Sequence, residues 1–200
     1  MAPTKRDQIL KMFQTTRVLR ARDFANAGIA REYLSRLVAD GVLARPARGL
    51  YVMADDTPTE HRSLIEATRL VPSGVICLLS ALQFHGLTSQ SPFEVWLAID
   101  RKTRLPQSES RPLRIVQFSG TALTWGIEEH VLEGVCVRVY SPAKTVADCF
   151  KYRHKVGLDV ALEAMRDCIR QRKATRDELW SAAKACRMTN VIRPYLEATA

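Results

Sequence analysis

The feature that most constrains the fold is the order of turn signals and apolar positions along residues 1–54. Thr4 can cap a first helix whose apolar residues fall near helical spacing, and a short second helix is expected over 21–26. Asn26-Ala27-Gly28 then predicts a tight turn, because glycine takes a positive φ without strain. A third helix is expected over 30–39, with its apolar residues on one face. Two helices joined by a tight turn are typical of a helix-turn-helix.

A hairpin is expected directly after this helical segment. Gly41 stops the third helix, and two short β-type runs, 42–45 and 50–53, flank the turn at Arg48-Gly49. This is the order of a winged helix-turn-helix, in which the helix after the tight turn enters the DNA major groove. The hairpin, or wing, touches the flanking DNA backbone. Residues 1–54 are therefore predicted to form a winged helix-turn-helix DNA-binding domain.

The charge distribution agrees with a polyanionic partner. The chain of 200 residues has a net charge of +9, and residues 1–54 hold ten basic and four acidic residues, a net of +6. Residues 55–100 have a net charge of −4, and residues 101–200 have a net charge of +7. This alternation suggests at least two functional surfaces, the first of them attracted to nucleic acid.

Nine residues are candidates for contact with double-stranded DNA. If Leu34 and Leu37 face the core, the third helix exposes side chains that can bond base edges, and arginine pairs well with guanine. Basic residues at the start of the second helix and on the hairpin would meet phosphate, which adds salt dependence but no sequence information. An ordinary solvated face is the alternative for the third helix taken alone. The full set is Arg20, Arg22, Arg31, Glu32, Tyr33, Ser35, Arg36, Arg45 and Arg48.

The rest of the chain, residues 55–200, is predicted to be an α+β domain with a small, mostly antiparallel sheet and a helical C-terminal part. A helical stretch is expected over 75–85, and Glu133-Gly134 signals a β-hairpin. Ser141-Pro142 and Thr175 carry the capping patterns of later helices. The predicted fold class of the whole chain is α+β.

Three segments resemble a known family. Residues 28–53 read GIAREYLSRLVADGVLARPARGLYVM, and this segment closely resembles the winged helix of the AbiEi-like antitoxins of AbiE (type IV) toxin–antitoxin systems. Residues 80–92, SALQFHGLTSQSP, and residues 137–153, VRVYSPAKTVADCFKYR, resemble later segments of that family in the same order. Many regulators share a winged helix, so the combination of the three segments is the more specific signal.

The resemblance implies a transcriptional regulator that acts in phage defence and represses its own operon by binding inverted repeats in the promoter. It also implies that residues 55–200 form an antitoxin domain, which neutralises a co-encoded nucleotidyltransferase-like toxin directly or functionally. Two alternatives stay open: a stand-alone regulator without a toxin, and a module that inhibits a toxin by direct binding. The protein could act on DNA as a monomer or as a dimer.

Some residues outside the winged helix have both structural and functional interpretations. A structural role is favoured for His85, which closes an apolar helix before Gly86. Lys144 and Asp148 are four residues apart, a spacing that commonly indicates an ion pair within a helix. The basic segment 101–114 is either a second contact surface or a solvated loop.

No enzyme activity, cofactor or metal site is predicted. The nearest nuclease-like set, Glu94, Asp100 and Lys102, has no second acidic pattern to support it. The five cysteines form no CxxC pair, and the histidines show no zinc spacing. With neither a signal peptide nor a membrane span in the sequence, a cytoplasmic protein with reduced, buried thiols is expected.

Overall fold

The structure is a computed structural model that describes residues 4–103 and 112–198. These residues divide into two compact units. Unit 1 contains residues 4–72, Pro112 and 130–137, and unit 2 contains residues 73–103, 113–129 and 138–198. The sequence-based division after residue 54 stays a prediction, and the compact unit that includes the winged helix continues through Pro72.

Unit 1 has the predicted winged helix-turn-helix arrangement. Its helices are α1 (Lys5–Phe13), α2 (Ala21–Asn26), α3 (Arg31–Ala39) and α4 (Arg62–Leu70). Its strands are β1 (Leu19–Arg20), β2 (Leu43–Ala47) and β3 (Leu50–Met53). They form an antiparallel sheet in the order β1-β3-β2. Strand β1 was not predicted, because two residues are too short to show alternation.

A helix cap and an aromatic core explain the local structure of unit 1. The predicted cap at Thr4 is a capping box, in which Thr4 Oγ1 accepts from the Asp7 N–H at 3.2 Å and Asp7 accepts from the Thr4 N–H at 3.0 Å. Phe24 is fully buried, and its ring centroid lies 6.0 Å from that of Phe13 and 5.5 Å from that of Tyr51. Helices and wing therefore share one core, which leaves their polar faces outward.

Unit 2 combines most of a five-stranded sheet with the helical C-terminal part that the sequence predicts. Its helices are α5 (Leu78–Phe84), α6 (Thr121–Thr124), α7 (Pro142–Lys151), α8 (Arg153–Val156), α9 (Leu158–Arg170), α10 (Arg176–Cys186) and α11 (Thr189–Ala198). The remaining strands are β4 (Val75–Ile76), β5 (Val95–Asp100), β6 (Leu113–Phe118), β7 (Ile127–Leu132) and β8 (Val135–Tyr140). They form a sheet in the order β6-β5-β4-β8-β7. The α+β class is therefore confirmed.

The five-stranded sheet is mixed, which corrects the expectation of a mostly antiparallel one. β4 pairs antiparallel with β5 but parallel with β8, and β5 pairs parallel with β6. Residues 101–112 separate β5 from β6, and a connection of about a dozen residues is long enough for a parallel return. The predicted hairpin at Glu133-Gly134 is confirmed, with φ of +49° and +75° at the two residues.

Strand β4 lies where the sequence predicted the start of a helical stretch over 75–85, so that prediction is wrong at its beginning. Val75 pairs with Ala98 of β5, and Ile76 pairs with Val139 of β8. Both β-branched side chains are buried at the centre of the sheet, an environment that favours a strand. The helix begins only at Leu78.

Helix α7 is the centre of unit 2. The Ser141 hydroxyl accepts from the Lys144 N–H at 3.4 Å, and Pro142 occupies the first turn, as the capping pattern predicts. Residues 143–150 are all buried, and α5, α9 and α10 pack against the helix. Thr175 forms the second predicted cap, accepting from the Glu178 N–H at 3.2 Å. Within residues 4–103 and 112–198, no helix has the length and apolar composition needed to span a membrane.

Candidate nucleic-acid interface

The turn between α2 and α3 sets the orientation of the candidate recognition helix. Gly28 has a φ of +73°, a left-handed conformation that costs glycine little. The Ile29 N–H donates to the Phe24 carbonyl at 2.9 Å, and both side chains are buried. Leu34 and Leu37 of α3 enter the same core and are only 1% and 5% exposed. The opposite face of α3 is therefore available to a partner.

The outward face of α3 carries the residues predicted to read bases. Arg31, Glu32, Ser35 and Arg36 are exposed, and Tyr33 is half-buried against the core. The Ser35 hydroxyl donates to the Arg31 carbonyl at 3.3 Å and keeps its acceptor lone pairs. The N-cap is Ala30, so the first N–H groups of α3 have no side-chain cap. This helix end and its two arginines together form a face rich in hydrogen-bond donors.

The wing tip is a two-residue turn held against α2. Ala47 pairs with Leu50, so Arg48 and Gly49 form the tip, with a φ of +79° at Gly49. The Gly49 carbonyl accepts from the Ala21 N–H at 2.9 Å. This bond ties the tip to the start of α2, and the neighbouring Arg48 is exposed.

Arg45 lies where the wing is irregular. The register of β2 against β3 shifts between Ala44 and Ala47, a stretch that contains Arg45 and Pro46. Proline cannot donate to the strand ladder, which explains a local irregularity at this point. The Arg45 side chain is exposed, as a contact to the DNA backbone would require.

Arg20 and Arg22, both predicted as DNA contacts, differ in exposure. The Arg22 side chain is 65% exposed, and its Nε lies 4.0 Å from the Asp23 carboxylate. Arg20 is half-buried, and its Nε has no hydrogen-bond partner in the described residues. Burial, together with the charges of Arg22 and Arg69, lowers the pKa of the Arg20 guanidinium. Arg22 is therefore the better placed of the two to reach a phosphate.

A shallow cavity brings two of the predicted residues together between α2 and α3. Its volume is ≈ 280 Å³, just below the range of about 300–1,000 Å³ for small-molecule sites, and Arg22 and Arg31 both line it. The rest of the lining is apolar: Ala21, Ala25, Ile29 and Leu34. The cavity therefore combines an apolar surface with two of the predicted arginines.

Sequence reasoning missed the support that α4 gives to α2. Asp23 Oδ2 accepts the Arg20 N–H at 2.7 Å and lies 3.7 Å from Nη1 of Arg69, a residue of α4. Arg69 Nη2 also donates to the Thr16 hydroxyl at 3.3 Å. These residues are far apart in the sequence, so no local pattern could have indicated the contact.

The segment after the wing is held by ion pairs. The Arg17 guanidinium lies 2.9 Å from Asp56 Oδ1, and the buried Arg62 of α4 binds the other oxygen of the same carboxylate. Asp56 thus joins the chain before β1 to the helix that follows the wing. These contacts explain why unit 1 continues to Pro72.

The residues that the sequence singled out in unit 2 have structural contacts. His85 is the C-cap of α5, and its Nε2 lies 2.7 Å from the Tyr140 carbonyl of β8. Its contact is structural, as expected, but it is made to a strand and not to the last carbonyls of its own helix. Lys144 and Asp148 form the predicted ion pair, and both are fully buried in the core of unit 2. Burial raises the pKa of the Asp148 carboxyl, and the Lys144 charge opposes this effect.

The residues of the nuclease-like set have other contacts in the described part of the chain. Glu94 pairs with Arg114 at 3.2 Å, and the Arg114 guanidinium lies 4.5 Å from the centre of the Trp96 ring. Asp100 caps the following turn by accepting the Lys102 N–H at 2.8 Å. No group of three potential metal ligands occurs in the described part of the chain. Arg104 and Arg111 of the basic segment lie outside the described residues.

Comparison with known proteins supports the family resemblance of the N-terminal region. The chain is similar to a solved structure titled "Crystal structure of RV2827C protein from Mycobacterium tuberculosis", with a TM-score of 0.59 and 12% identity over 91% of this chain and 75% of that chain. At this identity the likeness concerns the fold alone. No curated protein matches the chain. A family model described as "Transcriptional regulator, AbiEi antitoxin" matches residues 7–54, so the resemblance to the AbiEi antitoxin regulators is confirmed for the N-terminal region.

Proposed function

We propose that the protein binds double-stranded DNA through unit 1, with α3 in the major groove and the wing on the flanking backbone. The observation that carries the proposal is the set of exposed basic side chains on α3, at the start of α2 and on the wing of one compact unit. Their apolar partners are buried in a single core, which holds the three elements in fixed positions. The family match over residues 7–54 supports the same function.

The residues divide into two roles. Arg31 and Arg36 read base edges, with Glu32, Tyr33 and Ser35 beside them, since a bidentate arginine–guanine pair contributes about 1–3 kcal/mol of discrimination. Phosphate contacts come from Arg22, Arg45 and Arg48, while the half-buried Arg20 contributes less. The phosphate contacts position the protein, and only the α3 contacts choose the sequence.

Fluorescence anisotropy with the upstream promoter fragment tests this division at several salt concentrations. Arg31→Ala and Arg36→Ala should each weaken binding to the promoter by about 1–3 kcal/mol. Each should also reduce the preference of the protein for the promoter over random DNA. Arg48→Ala should weaken binding to both DNAs alike and reduce the salt slope by about one. Arg170→Ala is the control, because Arg170 is an exposed arginine of unit 2 and its loss changes the charge equally. Salt-insensitive binding, or the same loss in all four variants, would contradict the proposal.

We further propose that the protein represses its own operon in the cytoplasm, through inverted repeats in the promoter, as a monomer or dimer on DNA. Unit 2 would carry the antitoxin function and neutralise a co-encoded nucleotidyltransferase-like toxin in phage defence. This part rests on the family resemblance. If full-length protein with Arg31→Ala, Arg36→Ala and Arg48→Ala still rescues cells from the toxin, antitoxicity is separate from DNA binding. A locus with no toxin gene would instead favour the stand-alone regulator, and a stable complex with the toxin would favour direct inhibition.

A further inference from the structure

Unit 2 contains a basic cavity that the proposed DNA interface does not use. It lies where the turn after β6 meets the C-terminal ends of α7 and α10, and its volume is ≈ 420 Å³. This volume falls in the range of small-molecule sites, about 300–1,000 Å³. The lining residues that matter here are Ser119, Gly120, Thr121, Lys151, Lys184 and Arg187.

Three cationic residues line the cavity, and of these only Lys151 has an electrostatic interaction with a described carboxylate, that of the buried Asp148. Lys151, Lys184 and Arg187 line it, and no Asp or Glu does so among the described residues. In the same part of the chain, none of the three side chains forms an ion pair or donates a hydrogen bond, unlike Arg170, which pairs with Asp167 at 2.8 Å. Concentrated positive charge in a concave site favours an anionic ligand.

Stabilisation of helix ends does not account for the presence of all three cationic residues at one cavity. Lys151 and Lys184 lie in the last turns of α7 and α10, where a cation is favourable for the helix dipole. Backbone N–H groups already occupy the carbonyls at the end of α10, since Arg187 donates to Lys184 at 3.1 Å and Met188 donates to Ala183 at 2.8 Å. A helix-end role would explain each lysine separately, but not their grouping with Arg187 around one cavity.

The part of the lining formed by residues 119–121 is exposed and polar. Gly120 has φ +55° and ψ −142°, a conformation that favours glycine, and a Cβ built there would meet no atom within 4 Å. Ligand oxygens can therefore approach this stretch of backbone. The exposed residues on either side, Ser119 and Thr121, add two hydroxyl donors.

We propose that this cavity binds a small molecule that carries two or more phosphate groups. The Arg187 guanidinium matches phosphate oxygens in a bidentate manner, and the two lysine ammonium groups supply point charges. Three cations exceed what a single phosphate needs, which favours a diphosphate or triphosphate group. The concave shape favours a compact ligand over a nucleic-acid strand, and the site is independent of the DNA interface.

Isothermal titration of the full chain with inorganic pyrophosphate tests the proposal. The double variant Lys184→Gln/Arg187→Gln should bind pyrophosphate about tenfold or more weakly than the parent protein, since charge-assisted hydrogen bonds are lost. The matched control is Arg166→Gln/Arg172→Gln, which removes the same charge from exposed residues of unit 2. Arg172 and Arg187 both have a left-handed backbone, with φ of +55° and +58°, so the two double variants carry similar strain. The control should keep its affinity.

Three results would overturn the proposal. The first is an absence of pyrophosphate binding by the parent protein, and the second is an equal loss in the two double variants, which would indicate general charge attraction. The third is loss of pyrophosphate binding in Arg31→Gln/Arg36→Gln, which would assign the ligand to unit 1. If the cavity variant loses DNA affinity while the parent protein binds no pyrophosphate, the cavity belongs to a nucleic-acid surface instead. Urea unfolding followed by far-UV circular dichroism, which reports the helices of both units, checks that each variant is folded.

Discussion

The buried ion pair of α7 allows a quantitative test of what stabilises unit 2. Lys144 and Asp148 are both fully buried. Lys144 Nζ lies 4.1 Å from the ring centre of Tyr140 and 4.7 Å from that of Phe118. The second Asp148 oxygen accepts from the Cys186 thiol at 3.3 Å. The ammonium thus has a carboxylate and two ring faces around it, whereas the carboxylate depends on Lys144 for its counter-charge.

Lys144→Met removes that counter-charge while keeping most of the side-chain volume. A buried charge that loses its partner typically costs about 3–5 kcal/mol of unfolding free energy. The cost should depend on pH, because burial already raises the pKa of Asp148 and loss of Lys144 raises it further. The folded state then holds the proton more tightly than the unfolded state does. The stability that this proton contributes is therefore fully present below the unfolded pKa of about 3.9. As the pH rises above that value, it falls by up to about 1.4 kcal/mol per pH unit until the folded pKa is passed.

Urea unfolding followed by tryptophan fluorescence measures this effect. The three tryptophans, Trp96, Trp125 and Trp180, all belong to unit 2, so the signal reports that unit. The variant should regain stability relative to the parent protein between pH 8 and pH 5. Adding Asp148→Asn should restore much of the loss at pH 7, because no charge is then buried alone. A pH-independent loss, a loss below about 1 kcal/mol, or a double variant as unstable as the single one would refute the reasoning.

Two further predictions use the same unfolding assay and simple chemistry. Gly126→Ala should lower the free energy of unfolding by about 1–3 kcal/mol more than Gly86→Ala does. Both residues have a positive φ, but only a Cβ on Gly126 would lie 2.9 Å from the Cβ of Lys144. Equal losses of stability would show that space at Gly126 is not limiting. Iodoacetamide at pH 8 should alkylate Cys136 alone in the folded protein, because the other four thiols are buried and burial raises the pKa of each. Mass spectrometry should find five adducts only after unfolding, and a second adduct in the folded protein would contradict the burial.

The winged helix could be predicted from sequence because its signals are local. Thr4, Gly28 and Arg48-Gly49 each determine a cap or a turn through neighbours a few residues away. Strand β4 could not be predicted in this way. Val75 and Ile76 are a strand because β5 and β8, distant in sequence, pair with them on either side. Tertiary pairing of this kind outweighs the local preference of the segment.

The same distinction separates the two parts of the candidate DNA interface. Helical periodicity alone indicates that Arg31 and Arg36 face outward, since Leu34 and Leu37 must face inward. The half-burial of Arg20 follows from α4, a helix that approaches it only in the folded chain. The spacing of apolar residues therefore predicts which face of a helix is exposed. The environment of a residue at a helix end depends instead on which distant element packs beside it.

The two basic sites suit different anions because their shapes differ. On unit 1 the exposed arginines are spread over α2, α3 and the wing, so an extended backbone can meet them in succession. In unit 2, Lys151, Lys184 and Arg187 line one cavity of ≈ 420 Å³, a volume that suits a compact polyphosphate and is too small for a duplex. Because DNA releases counterions along its length, its binding should fall steeply with salt. The proposed cavity ligand has few phosphates, so its affinity should fall less steeply as the salt concentration rises. The slope of affinity against salt therefore distinguishes the two sites, which net charge alone does not.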